Sequence, residues 1–259
     1  MLFLADIGNT EIVLGARGSR GEIERRWRLR SNLERTPDEI GVLLSQLVDA
    51  LPGGAASLAA LCAASVVPPF TRVFAEGAER HLGLPLREFR WAPELGVRLD
   101  VEAPESVGAD RVANALAAHL AYPGPAIVVD FGTATTLDVV AADGAFVGGV
   151  IAPGIETGAA GLAGRTALLP RVAVGFPSSA FGRNTVESMQ IGLYHGAALM
   201  VDGLVGRIRA EWRADARVIA TGGLAGQVAA HCACVDVIDV DLTLKGIGWG
   251  YDRLFPASV

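Results

Sequence analysis

Lysine is nearly absent from this chain: among 22 basic residues in 259, only Lys245 is a lysine. No Gly-x-x-x-x-Gly-Lys pattern surrounds it, which excludes a P-loop as the phosphate-holding device. Cysteine is scarce as well. Cys62, Cys232 and Cys234 give no disulfide framework, so a reducing, cytoplasmic setting is expected. The run His231-Cys232-Ala233-Cys234 lacks the usual zinc spacing and has no second cluster to complete it, so no metal is assigned there. No uninterrupted run of eighteen apolar residues occurs, and no basic leader precedes the first strand signal. Neither a membrane span nor a secretory signal is therefore expected. The net charge of −6 does not suit a nucleic-acid binder. The early arginines Arg17, Arg20, Arg25, Arg26, Arg28, Arg30 and Arg35 read as a solvated face of strands and turns.

The chain is rich in apolar residues, 51% against 19% charged, which is enough for a substantial core. One motif occurs twice. Leu4-Ala5-Asp6-Ile7-Gly8-Asn9-Thr10 closes one apolar run, and Val128-Val129-Asp130-Phe131-Gly132-Thr133-Ala134 closes another. Asp6 to Asp130 and Gly8 to Gly132 share the same offset of 124 residues (130 − 6 and 132 − 8). A second apolar run follows each copy, which predicts two hairpins with acidic, glycine-containing tips. Such a tip offers N–H groups and a hydroxyl to phosphate oxygens, and a carboxylate to a cation. One copy alone would be an ordinary turn. Two copies in matching places predict a duplicated fold and a phosphate-binding pair.

The remaining pattern fits two α/β halves. Strands are expected at Phe3–Asp6, Ile12–Ala16, Ile23–Arg30, Leu58–Ala64 and Leu86–Trp91. Thr36-Pro37-Asp38-Glu39 is a capping box that opens a helix, and a second helix is expected over Pro69–Leu82. The second half has a helix over Ala109–Ala121, then strands at Ala126–Asp130, Thr136–Ala141 and Ala145–Val150. A long helix over Thr185–Trp212, strands at Arg217–Ala220 and Val235–Val240, and a helix over Thr243–Phe255 complete it. The halves are expected at 1–105 and 106–259, with the ligand site in a central interdomain cleft.

Two further blocks carry chemistry. Gly108-Ala109-Asp110-Arg111 opens a helix, and an arginine in a first turn suits a bound anion. Capping alone is the competing explanation of Asp110. Gly182-Arg183-Asn184-Thr185 precedes the long helix, where Asn184 or Thr185 suits the cap. Ser65-Val66-Val67-Pro68 and Thr221-Gly222-Gly223 follow strands, where α/β folds gather ligands.

Taken together, these blocks resemble type III pantothenate kinase, a family of the actin-like (ribonuclease H-like), acetate- and sugar-kinase superfamily. The resemblance runs nearly end to end and includes Gly148-Gly149-Val150-Ile151-Ala152-Pro153-Gly154 and Leu242-Thr243-Leu244-Lys245-Gly246. It implies ATP-dependent phosphorylation of pantothenate in coenzyme A synthesis by a homodimer. By resemblance, Asp6, Ile7, Gly8, Asn9, Thr10, Glu11, Ile12 and Val13 would bind ATP phosphates, with Asp6 on Mg²⁺, and Thr133 would hold the nucleotide. Asp130 would bind K⁺ or NH₄⁺. Gly108, Ala109, Asp110, Arg111 and Thr185 would hold pantothenate, with Asp110 as proton acceptor. Two positions depart from the family. Val101-Glu102-Ala103-Pro104 stands where Tyr-x-Asn-Pro is usual, so Val101 replaces an aromatic pocket wall that Trp91 or Phe176 could supply instead. Glu11 stands where a small polar residue is common, and should point to solvent or help hold metal. The competing readings are a catalytically impaired paralogue with a binding or regulatory role, and a kinase for another small hydroxyl substrate.

Overall fold

The computed structural model describes residues 1–166 and 168–256. Its first sheet contains β1 (Leu2–Ile7), β2 (Glu11–Arg17), β3 (Ile23–Arg30), β4 (Ala60–Ser65) and β5 (Leu86–Glu88), in the order β3-β2-β1-β4-β5. The pairs β1/β2 and β2/β3 are antiparallel, while β1/β4 and β4/β5 are parallel. The second sheet contains β6 (Ala126–Phe131), β7 (Ala134–Val140), β8 (Phe146–Pro153), β9 (Arg217–Thr221) and β10 (Val237–Ile238), in the order β10-β9-β6-β7-β8. Its pairings repeat those of the first sheet strand for strand. Both motif copies are hairpin tips, and the fold is α/β with two similar halves.

Helices α1 (Pro37–Asp49), α2 (Pro68–Leu82) and α3 (Ala109–Ala121) come next. The α1 start is the expected capping box: Glu39 N–H donates to Thr36 Oγ1 at 3.3 Å and Thr36 N–H to Glu39 Oε2 at 2.7 Å. One face of the first sheet (Phe3, Ala5, Ile7, Ile12, Leu14) packs on Ile40 and Leu44 of α1 and Phe70 and Phe74 of α2. In the second half, α4 (Ile155–Arg165), α5 (Thr185–Gln190), α6 (Gly196–Trp212) and α7 (Ala225–Val228) follow, then α8 (Leu242–Leu254). Ile127, Val129 and Phe131 of β6 pack on Val201 and Val205 of α6 and Val228 of α7.

Contacts divide the described residues into two compact units: residues 1–98, 102–117 and 241–256, and residues 99–101 and 118–240. Residues 106–117 and 241–256, beyond the expected 105/106 boundary, thus pack with the first sheet. The reason is local. A Cβ at Gly246 of α8 would fall 1.9 Å from Ala113 O of α3, so only glycine permits this approach. Beside it, Thr243 Oγ1 donates to Asn114 Oδ1 at 2.8 Å in the buried interior.

Three of the expected elements that differ in extent have a local reason or a local signature. The strand expected over Leu86–Trp91 ends at Glu88, although Phe89 N–H still reaches Ala63 O at 2.7 Å. The strand expected over Val235–Val240 contracts to Val237–Ile238. The Asp236 carboxylate accepts from Val218 N–H at 2.8 Å, occupying a donor of the neighbouring strand. The helix expected over Thr185–Trp212 contains a π turn at Ile191–His195 between α5 and α6. One inserted residue leaves an apolar 3.6-residue pattern nearly unchanged, so periodicity does not report it. No described helix is long and apolar enough to cross a membrane.

Candidate active site

In the first unit, the chain leaves β1 through Gly8-Asn9-Thr10. Gly8 N–H donates to Glu11 O at 3.0 Å, closing the tip. Ser31, just past β3, locks it from outside: its N–H donates to Thr10 O at 2.9 Å and its hydroxyl to Gly8 O at 2.5 Å. Asp6 is half-buried at the end of β1, level with Val13 on β2 and Ala64 on β4. Ile12 is buried and Val13 half-buried, so both are scaffold whose contribution is backbone. Glu11 is partly exposed, 37% by its side chain. It is paired with Arg28 of β3, whose Nε donates to Glu11 Oε2 at 3.0 Å, with Nη2 on the same oxygen. Its negative charge is thereby offset by the guanidinium.

The strand β4 ends beside this tip. Val66 N–H donates to Ile7 O at 3.1 Å, and Ser65 Oγ accepts from Val67 N–H and from Thr71 Oγ1. Ser65 is thus a structural brace. The Gly-Ala-Asp-Arg block arrives at the same sheet end, since Val66 Cγ1 lies 3.5 Å from where a Gly108 Cβ would stand. Asp110 falls inside the first turn of α3 rather than before it, and its Oδ1 accepts from Arg111 N–H at 2.9 Å. Burial pushes its carboxyl above the usual aspartate range, partly opposed by that hydrogen bond and by the Arg111 guanidinium. A half-buried carboxyl in a first helical turn can accept a hydrogen bond as a cap does, or a proton from a hydroxyl.

In the second unit, Gly132 N–H donates to Ala134 O at 3.1 Å to close the second tip. Thr133 O accepts from Gly154 N–H at 3.1 Å and from Thr157 Oγ1 at 2.6 Å, so the start of α4 braces this tip. Asp130 stands level with Thr221 on β9. After that strand the chain turns at Gly222 with φ +95°, where a Cβ would lie 2.2 Å from Asp130 Oδ1. Glycine is required on both counts. Thr221 Oγ1 is buried and makes no hydrogen bond among the described residues. A carboxylate and an orphaned hydroxyl at one strand end form an all-oxygen donor set, which fits a hard cation.

Asn184 caps α5: Glu187 N–H donates to its Oδ1 at 2.9 Å, and Arg183 N–H donates to Glu187 Oε2 at 3.0 Å. This leaves Thr185 exposed, on a cavity of about 640 Å³ whose other walls include Gly182, Arg183, Leu162 and Leu193. Val101 belongs to the second unit by contacts, beside Asp100, whose N–H donates to Phe146 O at 2.9 Å. The two candidate aromatic substitutes are engaged. Trp91 Nε1 donates to Val97 O at 2.8 Å. Phe176 stacks on His231, with ring centroids 3.8 Å apart, and packs against Tyr194 and His195. Beyond His231, the Ala233 and Cys234 N–H groups donate to the Asp202 carboxylate.

Sequence reasoning missed the Arg28–Glu11 pair, the Ser31 lock and the Asn114–Thr243 bond. The last had a signal, a polar residue on each of two apolar helix faces. The first two depend on strand register, which no linear pattern discloses.

A family model for type III pantothenate kinase matches residues 2–207. A type III pantothenate kinase of Rhizorhabdus wittichii is 44% identical over 257 residues, 98% of each chain. That of Thermomicrobium roseum is 43% identical over 254 residues, again 98% of each. Among solved structures, a 2-dehydro-3-deoxygalactonokinase protein of Sinorhizobium meliloti superimposes with TM-score 0.59 at 13% identity, covering 99% of this chain and 100% of its own. That likeness bears on the fold alone.

Proposed function

The chain belongs to the type III pantothenate kinase family and phosphorylates pantothenate with ATP in coenzyme A biosynthesis, and on that premise we propose that Asp110 is its catalytic base. The observation that carries this assignment is the desolvated Asp110 carboxyl beside the sheet end that bears the first tip. Phosphoryl transfer needs positioning and charge neutralisation more than covalent help. Asp110 orients the primary hydroxyl of pantothenate and takes its proton, while Arg111, Gly108 and Ala109 hold the substrate. Thr185 offers it an exposed hydroxyl. Asp6 and the backbone from Ile7 to Val13 hold the ATP phosphates, and Thr133 contacts the nucleotide. Mg²⁺ brought with ATP supplies charge neutralisation, and the Asp6 carboxylate, a hard oxygen donor at a strand end, suits it. K⁺ or NH₄⁺ supplies further positive charge, held by Asp130 and Thr221. Nothing in the site favours the impaired-paralogue reading. A coupled ADP-release assay tests the whole: turnover should require pantothenate and rise with potassium. Nucleotide binding without pantothenate-dependent turnover would overturn it.

We assign a homodimer and a cytoplasmic location on the same premise. Exposed apolar side chains on and near the Thr185 cavity (Leu162, Phe181, Val186) support the first, and three free cysteines suit the second. Light scattering that returned the mass of one chain, 26.9 kDa, would refute the dimer.

Val101 gives a separate prediction. Losing an aromatic wall costs on the order of 1–3 kcal/mol of transfer energy. Val101→Tyr is therefore expected to lower the Michaelis constant for pantothenate roughly ten- to hundredfold, leaving that for ATP unchanged. A raised constant would mean that another group fills the space and the ring clashes. An unchanged one would remove position 101 from the pocket.

A further inference from the structure

We propose that Arg28 is a further phosphate-binding residue of the nucleotide site, with Glu11 as the anion that holds it in place until the polyphosphate arrives. The proposal rests on the reading of the first tip as the phosphate site.

Register puts Arg28 on the right face. Phe3, Ala5 and Ile7 of β1 and Ile12 and Leu14 of β2 face α1 and α2, with Trp27 and Leu29 of β3 packed against the same core. Side chains alternate along a strand. Asp6, Val13 and Arg28 therefore face the other way, and they form one row across the sheet: Asp6 is level with Val13, and Val13 with Arg28. Two strand spacings separate Arg28 from Asp6, about 10 Å, a gap that an extended arginine side chain largely bridges.

The chemistry agrees. Arg28 presents Nε and Nη2 side by side to a single oxygen, Glu11 Oε2. This is the edge a guanidinium offers to a phosphate oxygen. Glu11 begins β2 immediately after the tip, so its carboxylate marks an anion position at the tip's lip. Both partners are open to solvent, 42% for Arg28 and 37% for Glu11. Ion pairs at that exposure contribute little, so exchanging one carboxylate for a polyphosphate meets small resistance. The only lysine, Lys245, lies on α8 and belongs to no P-loop pattern. Arg26, on the same face, is already engaged 3.6 Å from Asp241.

Three variants test the proposal by steady-state kinetics and calorimetric titration with Mg·ADP. Arg28→Gln should raise the Michaelis constant for MgATP by about tenfold or more, the loss expected for a charge-assisted hydrogen bond, with that for pantothenate unchanged. Arg25→Gln removes the same charge from the opposite face of the same strand and should change neither constant. Asp6→Asn separates this proposal from the reading beneath it. Weakened Mg·ADP binding in Asp6→Asn but not in Arg28→Gln overturns the role of Arg28 alone. Unchanged binding in both overturns the phosphate assignment of the tip as well.

Discussion

Asp110→Asn is expected to lower the turnover number by about two to four orders of magnitude, the usual contribution of a positioned general base, and to leave MgATP affinity intact. The amide keeps the shape and an acceptor for Arg111 N–H but cannot take a proton. Near-normal turnover would reduce Asp110 to a helix-terminal hydrogen-bond acceptor. Two accompanying signs follow from its raised pKa. The base works ionised, so wild-type kcat/KM should fall as pH drops through the raised value, and this acid limb should begin at higher pH than an ordinary aspartate would give. Stability runs the other way. A folded-state pKa above the unfolded one favours folding at pH below the unfolded value, and that advantage is lost as pH rises through the folded value. At neutral pH the ionised, desolvated carboxylate is a burden. Asp110→Asn should therefore raise the melting temperature at pH 7 and have less effect in acid. A lowered Tm at pH 7 would contradict the desolvated environment.

Asp130→Ala should abolish activation by potassium, reducing activity in K⁺ buffer to what the unaltered enzyme shows in Na⁺ alone. The expectation rests on the donor set at the end of β6 and β9, where Asp130 lies level with Thr221 and its unsatisfied, buried hydroxyl. A buried polar group without a partner costs free energy, and a cation coordinated by the hydroxyl oxygen relieves that cost. Thr221→Val should accordingly weaken the potassium response without eliminating it. Equal activity of the unaltered enzyme in sodium and potassium would remove the cation from the account altogether. Persistent potassium activation in Asp130→Ala would move the site elsewhere.

The duplicated hairpin was legible in the sequence because it depends on local chemistry. An apolar β-branched run, an Asp, a turn-permitting Gly and a second run specify strand, tip and strand wherever they occur. The capping box at Thr36 and the helix starts at Ala109 and Thr185 were legible for the same reason: the groups that satisfy a helix end lie within a few residues of it. The matching offset of Asp6 and Asp130 further implied two similar halves, and both sheets have the same strand order.

Tertiary structure decided what depends on distant partners. Glu11 looked like an unwelcome carboxylate beside the phosphates until strand register placed Arg28 against it. The α8 helix follows the second sheet in sequence yet packs on the first, because Gly246 admits the Ala113 carbonyl and Thr243 satisfies the buried Asn114. The brace of Gly154 and Thr157 on Thr133, and the fit of Gly222 against Asp130, likewise join segments that no local pattern connects. The sequence by itself determined which residues could carry the chemistry, since carboxylates, glycines and hydroxyls at turns have few alternatives. Which of them share a strand end was set by register and close packing, where one residue of slip would turn each side chain to the opposite face.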